Sequence, residues 1–358
     1  MKVLFFVPYP REGASNRYRV EQYLPFLKEK GVRFRVSSFW CRRGFSILYK
    51  KGHFLKKLFY FFRGSLLRLG DLISVFGYDV IFVHREAYPI FGAFFENMVI
   101  LTGKPVIFDF DDALFLPAKS DSNSFIGYFR YPEKFAEVVK GSAQVIAGNR
   151  YLGDCALLYN KNINIIPTPI DTEKFLPRQK SRSNSIVIGW IGSLTTAGFL
   201  QPMENVFRKL IGSNNDVLIK IVGGSYESSL GRSIVFKPWL LEEEMDDLAS
   251  FDIGIMPMPD NEWTRGKCGF KAIMYMSIGI PCVCSAVGMN KEIINDGVNG
   301  YLANDEGEWT EKLILLAKNP ELRRMIGENG RRTVEERYSL RANVPKFLNV
   351  LENASGSK

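Results

Sequence analysis

Two lysines, Lys267 and Lys271, flank Gly269 in the run Arg265-Gly266-Lys267-Cys268-Gly269-Phe270-Lys271. The apolar run 253–258 before them reads as a buried parallel strand. Phe270, Ile273, Met274 and Ile278 then recur at helical spacing, and Gly279 and Pro281 end the helix ahead of the apolar run Cys282-Val283-Cys284. A strand, a glycine turn and a helix opening, in that order, suit a phosphate. First-turn amides have no partner inside the helix, and the helix dipole adds about half a positive charge. The two ammonium groups would supply full charges for a diphosphate. The same pattern also fits an ordinary strand–helix crossover with solvated lysines.

A second group of polar residues closes two other apolar runs. His84-Arg85-Glu86 follows one, and Asp109-Phe110-Asp111-Asp112 follows the other, at the strand ends where ligands gather in doubly wound sheets. Asp112 also fits a cap ahead of Ala113-Leu114-Phe115. Arg17 and Arg19 open the helix after the first strand, behind a loop containing Gly13. That loop lacks G-x-G-x-x-G, so no dinucleotide fingerprint is present.

The elements that must position these groups alternate. Apolar runs at 2–7, 32–37, 79–84, 105–109, 144–147 and 163–166 read as strands, with helical patterns around 90–102, 131–140 and 150–159. The run 167–177, beginning Pro167-Thr168-Pro169, breaks the periodicity, and a polar stretch follows it. Alternation then restarts: strand 185–191 into Gly192-Ser193, strand 217–222 into Gly223-Gly224, and a segment Lys237-Pro238-Trp239 before an acidic helix. The fold class is α/β, two Rossmann-like doubly wound parallel-sheet domains. The boundaries expected are 1–167, a linker 168–184, 185–338, and a terminal helical segment 339–358 that packs back across the N-terminal domain.

The run 265–285 resembles the C-terminal signature of retaining, GT-B-fold glycosyltransferases of the family 4 type, which reads E-G-F-G-x-P-x-x-E-A-M-A-x-G-x-P-V-V-A-S. Gly269, Met276, Gly279, Pro281, Val283 and Ser285 keep that register. Both family glutamates are replaced, by Gly266 and Met274, and the loop is similar to a subgroup written G-K-C-G-x-K. The resemblance implies a GT-B arrangement of two domains facing a cleft and transfer from a nucleotide-sugar donor with retention, without a metal or another cofactor. It assigns the donor to Gly192, Ser193, Gly223, Gly224, Lys237, Pro238, Trp239, Gly269, Phe270 and Met274. Gly192 and Ser193 amides would approach phosphate, and 237–239 would contact the base. Lys267, Lys271 and Asp111 would be catalytic. Gly13, Arg17, Arg19, His84 and Asp112 would face donor and acceptor from the N-terminal side. The implied acceptor is a glycan or lipid-linked sugar in cell-surface polysaccharide biosynthesis. Taken alone, Asp109-Phe110-Asp111 matches a metal-binding D-x-D of GT-A enzymes, but two strand–helix halves argue against that fold.

Bulk composition bounds these readings. With 358 residues, 46% hydrophobic and 24% charged, the chain has room for two cores and an ordinary globular balance. No apolar run nears the roughly 18 residues of a membrane span. The start goes directly into a strand without a signal-peptide pattern, and five cysteines form no CxxC pair; both suit a reducing cytoplasm. Two histidines leave little for a zinc site. The net charge is +9, and Arg42, Arg43, Lys50, Lys51, Lys56, Lys57, Arg63 and Arg68 fall in one acid-free stretch. As a helix, Lys50, Lys56, Lys57, Arg63 and Arg68 would share an arc of roughly 140°, a basic stripe for an anionic membrane surface, although Gly52 and Gly64 argue against one continuous helix. No nucleic-acid reader motif accompanies the charge. The alternative is a non-catalytic subunit of the same fold that binds sugar nucleotide or glycan, motivated by loss of both glutamates. A nicotinamide oxidoreductase lacks its fingerprint, and a phosphorylase lacks a lysine in pyridoxal context.

Overall fold

The computed structural model describes residues 1–116, 132–178, 185–213 and 216–356, so residues 179–184 of the expected linker lie outside the described residues. The chain divides into two compact units, residues 1–169 with 343–358, and residues 170–342.

Each unit is built on a six-stranded parallel sheet. The first has the order β2-β1-β3-β4-β5-β6, with β1 Lys2–Val7, β2 Arg33–Ser38, β3 Val80–His84, β4 Val106–Phe110, β5 Gln144–Ala147 and β6 Ile163–Ile165. Central β3 and β4 are buried along their whole length, which is why they read as unbroken apolar runs. Edge strand β2 alternates charged and apolar residues instead. The second sheet has the order β12-β11-β10-β7-β8-β9, with β7 Ile186–Ile191, β8 Val217–Val222, β9 Ile234–Lys237, β10 Ile253–Met256, β11 Cys282–Ser285 and β12 Tyr301–Ala303. β12 is only three residues long, so its apolar Tyr301-Leu302-Ala303 gives little strand signal.

Strand order places a switch point in each sheet. The chain leaves β1 towards β2 on one side and returns to β3 on the other; likewise β7 lies between β8 and β10. Successive loops diverge there and leave a crevice beyond the strand C-termini. The groups that follow β1 and β3, and those that follow β7 and β10, are therefore brought together within each unit.

Three boundaries differ from expectation. Residues 170–178 belong to the second unit: Ile170 N–H donates to Tyr338 O at 2.9 Å, and Arg331 donates to Thr172 O at 2.8 Å. From residue 343 the terminal helix belongs to the first unit, where Phe347 stacks on Tyr23 at 4.2 Å. Gly64 does not interrupt the helix Phe54–Ser74; a Cβ there would lie 2.8 Å from Phe39 O, so glycine lets the helix close onto the sheet. Gly52, at φ 75°, does fall between two helices, Arg42–Leu48 and Phe54–Ser74.

Candidate active site

In the second unit the helix Phe270–Ser277 is aimed by Tyr275. Its hydroxyl accepts from Ile191 N–H at 3.2 Å and donates to Ile255 O at 3.2 Å, tying the helix to the ends of β7 and β10. Gly254 makes room for the ring, since a Cβ there would come within 2.4 Å of it. The helix opens on Gly269, which has φ 64° and would press a Cβ to 2.3 Å from Ile293 Cδ1. Left-handed backbone and close packing both demand glycine. No side chain caps this opening. Nearby, the buried Asn290 Oδ1 has no hydrogen-bond partner.

Lys271 emerges from the first turn over the buried Trp190 ring, 5.3 Å from its centroid, and Lys267 sits 4.0 Å over Trp263. Among the described residues no carboxylate pairs with Lys271. Burial first, and the Lys267 charge second, push its ammonium down to about 8. Two cations stand beside an uncapped helix opening, one of them with no carboxylate paired to it among the described residues, and positive charge is concentrated at this point.

The neighbouring glycines act through shape. Gly192 N–H donates to Val222 O at 3.0 Å, so its amide is not available to phosphate as expected, and Gly223 N–H is likewise used, on Lys237 O at 2.9 Å. A Cβ on Gly223 would lie 2.2 Å from Gly192 O, and one on Gly224 would lie 2.7 Å from Ala197 Cβ. These residues bring the two loops into contact. Ser193 opens the short helix Leu194–Ala197, its hydroxyl 2.7 Å from Thr195 Oγ1. Lys237 is held by Glu243 and Asp247 at 2.6 and 2.7 Å, which raises its pKa through hydrogen bonds to Asp247 first and Glu243 second. Exposed Pro238 separates it from Trp239, whose indole N–H donates to Glu244. Half-buried Phe270 begins the helix, while Met274 is 6% exposed and offers packing rather than a polar contact.

In the first unit the switch point holds a network of charges. Arg19 is 2% exposed and grips Asp109 with two nitrogens while donating to Ile166 O at 2.7 Å. It therefore does not reach a ligand, contrary to expectation; it neutralises Asp109 inside the sheet end. His84 is also fully buried, with Nδ1 2.6 Å from Asp109 Oδ2 and Nε2 2.6 Å from Ser15 Oγ. Burial opposes ionisation of Asp109, but Arg19 and the His84 hydrogen bond outweigh it and hold its carboxyl below the usual range. Nδ1 accordingly carries the proton, and half-buried Ser15 stands between His84 and any ligand. Ser15 Oγ is also 3.2 Å from both Asp111 carboxylate oxygens.

Asp111 accepts from Arg85 Nε at 2.6 Å, and Arg85 Nη2 lies 3.8 Å from Asp112. Burial raises the Asp111 pKa, but the Arg85 charge dominates among opposing causes and keeps it well below the usual carboxylate range. Arg85 has φ 59°, an uncommon conformation for a residue other than glycine. Asp112 Oδ1 accepts from Ala113 N–H at 3.1 Å, but no helix begins in the described residues 113–116, so it does not cap one as its position had suggested. Gly13 donates its N–H to Pro10 O at 2.9 Å and packs on Tyr9, so it shapes the loop instead of binding. Half-buried Arg17 lies over Tyr18, 4.7 Å from the ring. Ser15 went unnoticed, since a lone serine in a loop carries no signal, while Arg85 and Asp109 lay in the strand-end groups singled out in the sequence without a role of their own.

A groove of about 600 Å³ lined by Phe251, Gly279, Pro281, Arg323 and Arg331 lies elsewhere, at the N-terminal edge of the second sheet.

Comparison with known proteins bears on the fold and on the second unit's family. Residues 185–319 match the family described as glycosyl transferases group 1. Trehalose synthase of Pyrococcus horikoshii is 31% identical over 78 residues, covering 22% of this chain and 19% of that protein. The alignment thus spans about a fifth of the relative's own length. Among solved structures, HepE of Anabaena, in complex with UDP and glucose, superposes with a TM-score of 0.68 at 14% identity, covering 98% of this chain and 99% of HepE. Sucrose-phosphate synthase of Thermosynechococcus elongatus gives 0.72 at 13% identity, covering 100% of both chains. The chain has the GT-B fold, and its residues 185–319 match the glycosyl transferases group 1 family.

Proposed function

We propose that this protein is a glycosyltransferase that moves a sugar from a nucleoside-diphosphate donor to an acceptor hydroxyl with retention of configuration. The observation that carries the reading is the Lys267–Lys271 pair at the uncapped opening of Phe270–Ser277, on the switch point of the second sheet. As the glycosidic bond breaks, negative charge grows on the departing diphosphate. Fixed cations at that point stabilise it more than they stabilise the bound donor, which is the condition for catalysis. The lysines fill this role in our reading without a metal. HepE, a fold neighbour, was solved with UDP and glucose, and a uridine donor is the first choice to test.

Acceptor-side residues belong to the first unit. Asp111 and Ser15 meet at 3.2 Å in its charge network and neither is fully buried, and we assign them to the incoming hydroxyl, with His84 and Asp109 fixing Ser15. The acceptor is a glycan or lipid-linked sugar on the cytoplasmic side, as in cell-surface polysaccharide assembly. A second reading, a non-catalytic sugar-nucleotide-binding subunit, is favoured by Gly266 and buried Met274 in place of the family glutamates.

The test is a panel of nucleotide sugars screened by thermal shift, followed by measurement of nucleoside diphosphate release. Binding with release supports the transferase. Binding without release or transfer to any acceptor supports the second reading, and no binding contradicts both.

A further inference from the structure

The helix Phe54–Ser74 turns one side to the first unit's core, where Arg68 and Asp71 are both fully buried and paired at 2.9 Å. Arg68 therefore leaves the basic stripe expected from the sequence. Burial first, against the Asp71 charge, pushes its guanidinium down to about 10. The opposite side is apolar. Leu55, Phe59, Phe62, Leu66, Leu69 and Ile73 recur at alternating spacings of four and three, and Phe76 continues the series just beyond the helix. All are exposed, Leu55 by 78%, Leu66 by 70% and Ile73 by 79%. At 100° per residue the six helical positions fall within an arc of about 80°.

Exposed Lys56 and Arg63 lie along one edge of that arc. Beside the helix, Phe91 is also exposed at φ 63° and stacks against Tyr88, whose hydroxyl is 2.8 Å from Ser65 Oγ. A bulky residue in left-handed backbone is held there by its surroundings, with its ring offered to solvent.

We propose that this helix docks on an anionic lipid bilayer, with its apolar face in the headgroup region and its basic edge on lipid phosphates. No described helix is long and apolar enough to cross a membrane, and a helix with buried Arg68 and Asp71 on one side lies on the surface instead. Charge selects lipid over a second copy of the chain. The spacing would also suit a two-helix seam, but residues 30–70 contain no aspartate or glutamate and carry Arg43, Lys50, Lys51, Lys56, Lys57 and Arg63. Two copies would oppose like charges, whereas an anionic surface complements them. The inference rests on the surface of this unit alone and stands apart from the sugar-transfer reading.

Flotation of the full chain with phosphatidylcholine vesicles, with and without phosphatidylglycerol, tests it. Wild type should float with the anionic vesicles. Phe59→Ser/Phe62→Ser/Leu66→Ser should lower the bound fraction roughly tenfold or more. Lys56→Gln/Arg63→Gln should lose the preference for phosphatidylglycerol at low salt. These side chains are exposed, so an unchanged thermal midpoint and an unchanged circular dichroism spectrum separate lost docking from misfolding. Wild type that stays unbound, or serine and glutamine variants that float like it, would overturn the proposal. So would a lipid-free dimer in light scattering that the serine variant dissociates.

Discussion

Gly192 and Lys271 approach so closely that a Cβ on Gly192 would lie 2.7 Å from Cε of the lysine and 2.6 Å from the Trp190 ring. Glycine at the end of β7 is therefore what allows the Lys271 stem to cross the switch point. Gly192→Ala should displace the ammonium and weaken nucleoside-diphosphate binding by roughly tenfold, the loss of about 1.4 kcal/mol. The effect should be non-additive with Lys271→Ala, because both act through one side chain. Four-way titration calorimetry checks this, and full additivity would mean the glycine acts elsewhere.

Lys271 should make donor binding pH-dependent. Its folded pKa of about 8 lies below the ordinary lysine value, so the folded protein binds fewer protons than the unfolded chain above that pH. The folding penalty is fully present below about pH 8 and fades as pH rises to about 10.4, the ordinary lysine value. Binding runs the other way: a diphosphate needs the charged form, so affinity should fall as pH climbs through 8. Titrations near pH 8 in buffers of different ionisation enthalpy should register proton uptake. Lys271→Gln should abolish that uptake.

The Arg19–Asp109 pair should matter for folding. Both are buried, and Asp109→Asn leaves Arg19 as an uncompensated buried charge, at a cost of about 3–5 kcal/mol. Chemical denaturation measures it. Asp109 and Asp111 both have depressed folded pKa values. Their stabilisation is therefore present above the ordinary carboxylate range and is lost as pH falls through the folded values. Asp109→Asn should flatten the acid limb of the stability curve.

Gly269→Ala should destabilise by about 1–3 kcal/mol, combining left-handed strain with crowding of Ile293. If the helix opening holds the anion, bound nucleoside diphosphate should recover less of this variant's thermal midpoint than wild type gains.

Much of the architecture was legible because parallel sheets buried on both faces write themselves as apolar runs. β1, β5 and β8 match their sequence ranges, and Gly279 ends its helix at φ 75° as its position implied. The chemistry was less legible. Lys267 and Lys271 stood out through their spacing about Gly269. Ser15, Arg85 and Asp109 meet only because β1, β3 and β4 are adjacent, a contact between residues far apart in sequence. Arg19 and His84 read as ligand-facing and Arg68 as part of a surface stripe, because a polar residue in sequence carries no mark of the partner that buries it. Backbone accounting was also hidden: that Gly192 and Gly223 use their amides on Val222 and Lys237 depends on how β8 joins its neighbours.

The central claim is that Lys267 and Lys271 together hold the diphosphate of a nucleotide donor. The direct measurement is calorimetric titration of uridine, guanosine and adenosine diphosphates into wild type and Lys267→Ala/Lys271→Ala, with circular dichroism confirming that both are folded. Wild type should bind at least one of them, and the double variant should bind that ligand roughly a hundredfold or more weakly, about 2.8 kcal/mol. Equal affinity in the two proteins would contradict the assignment.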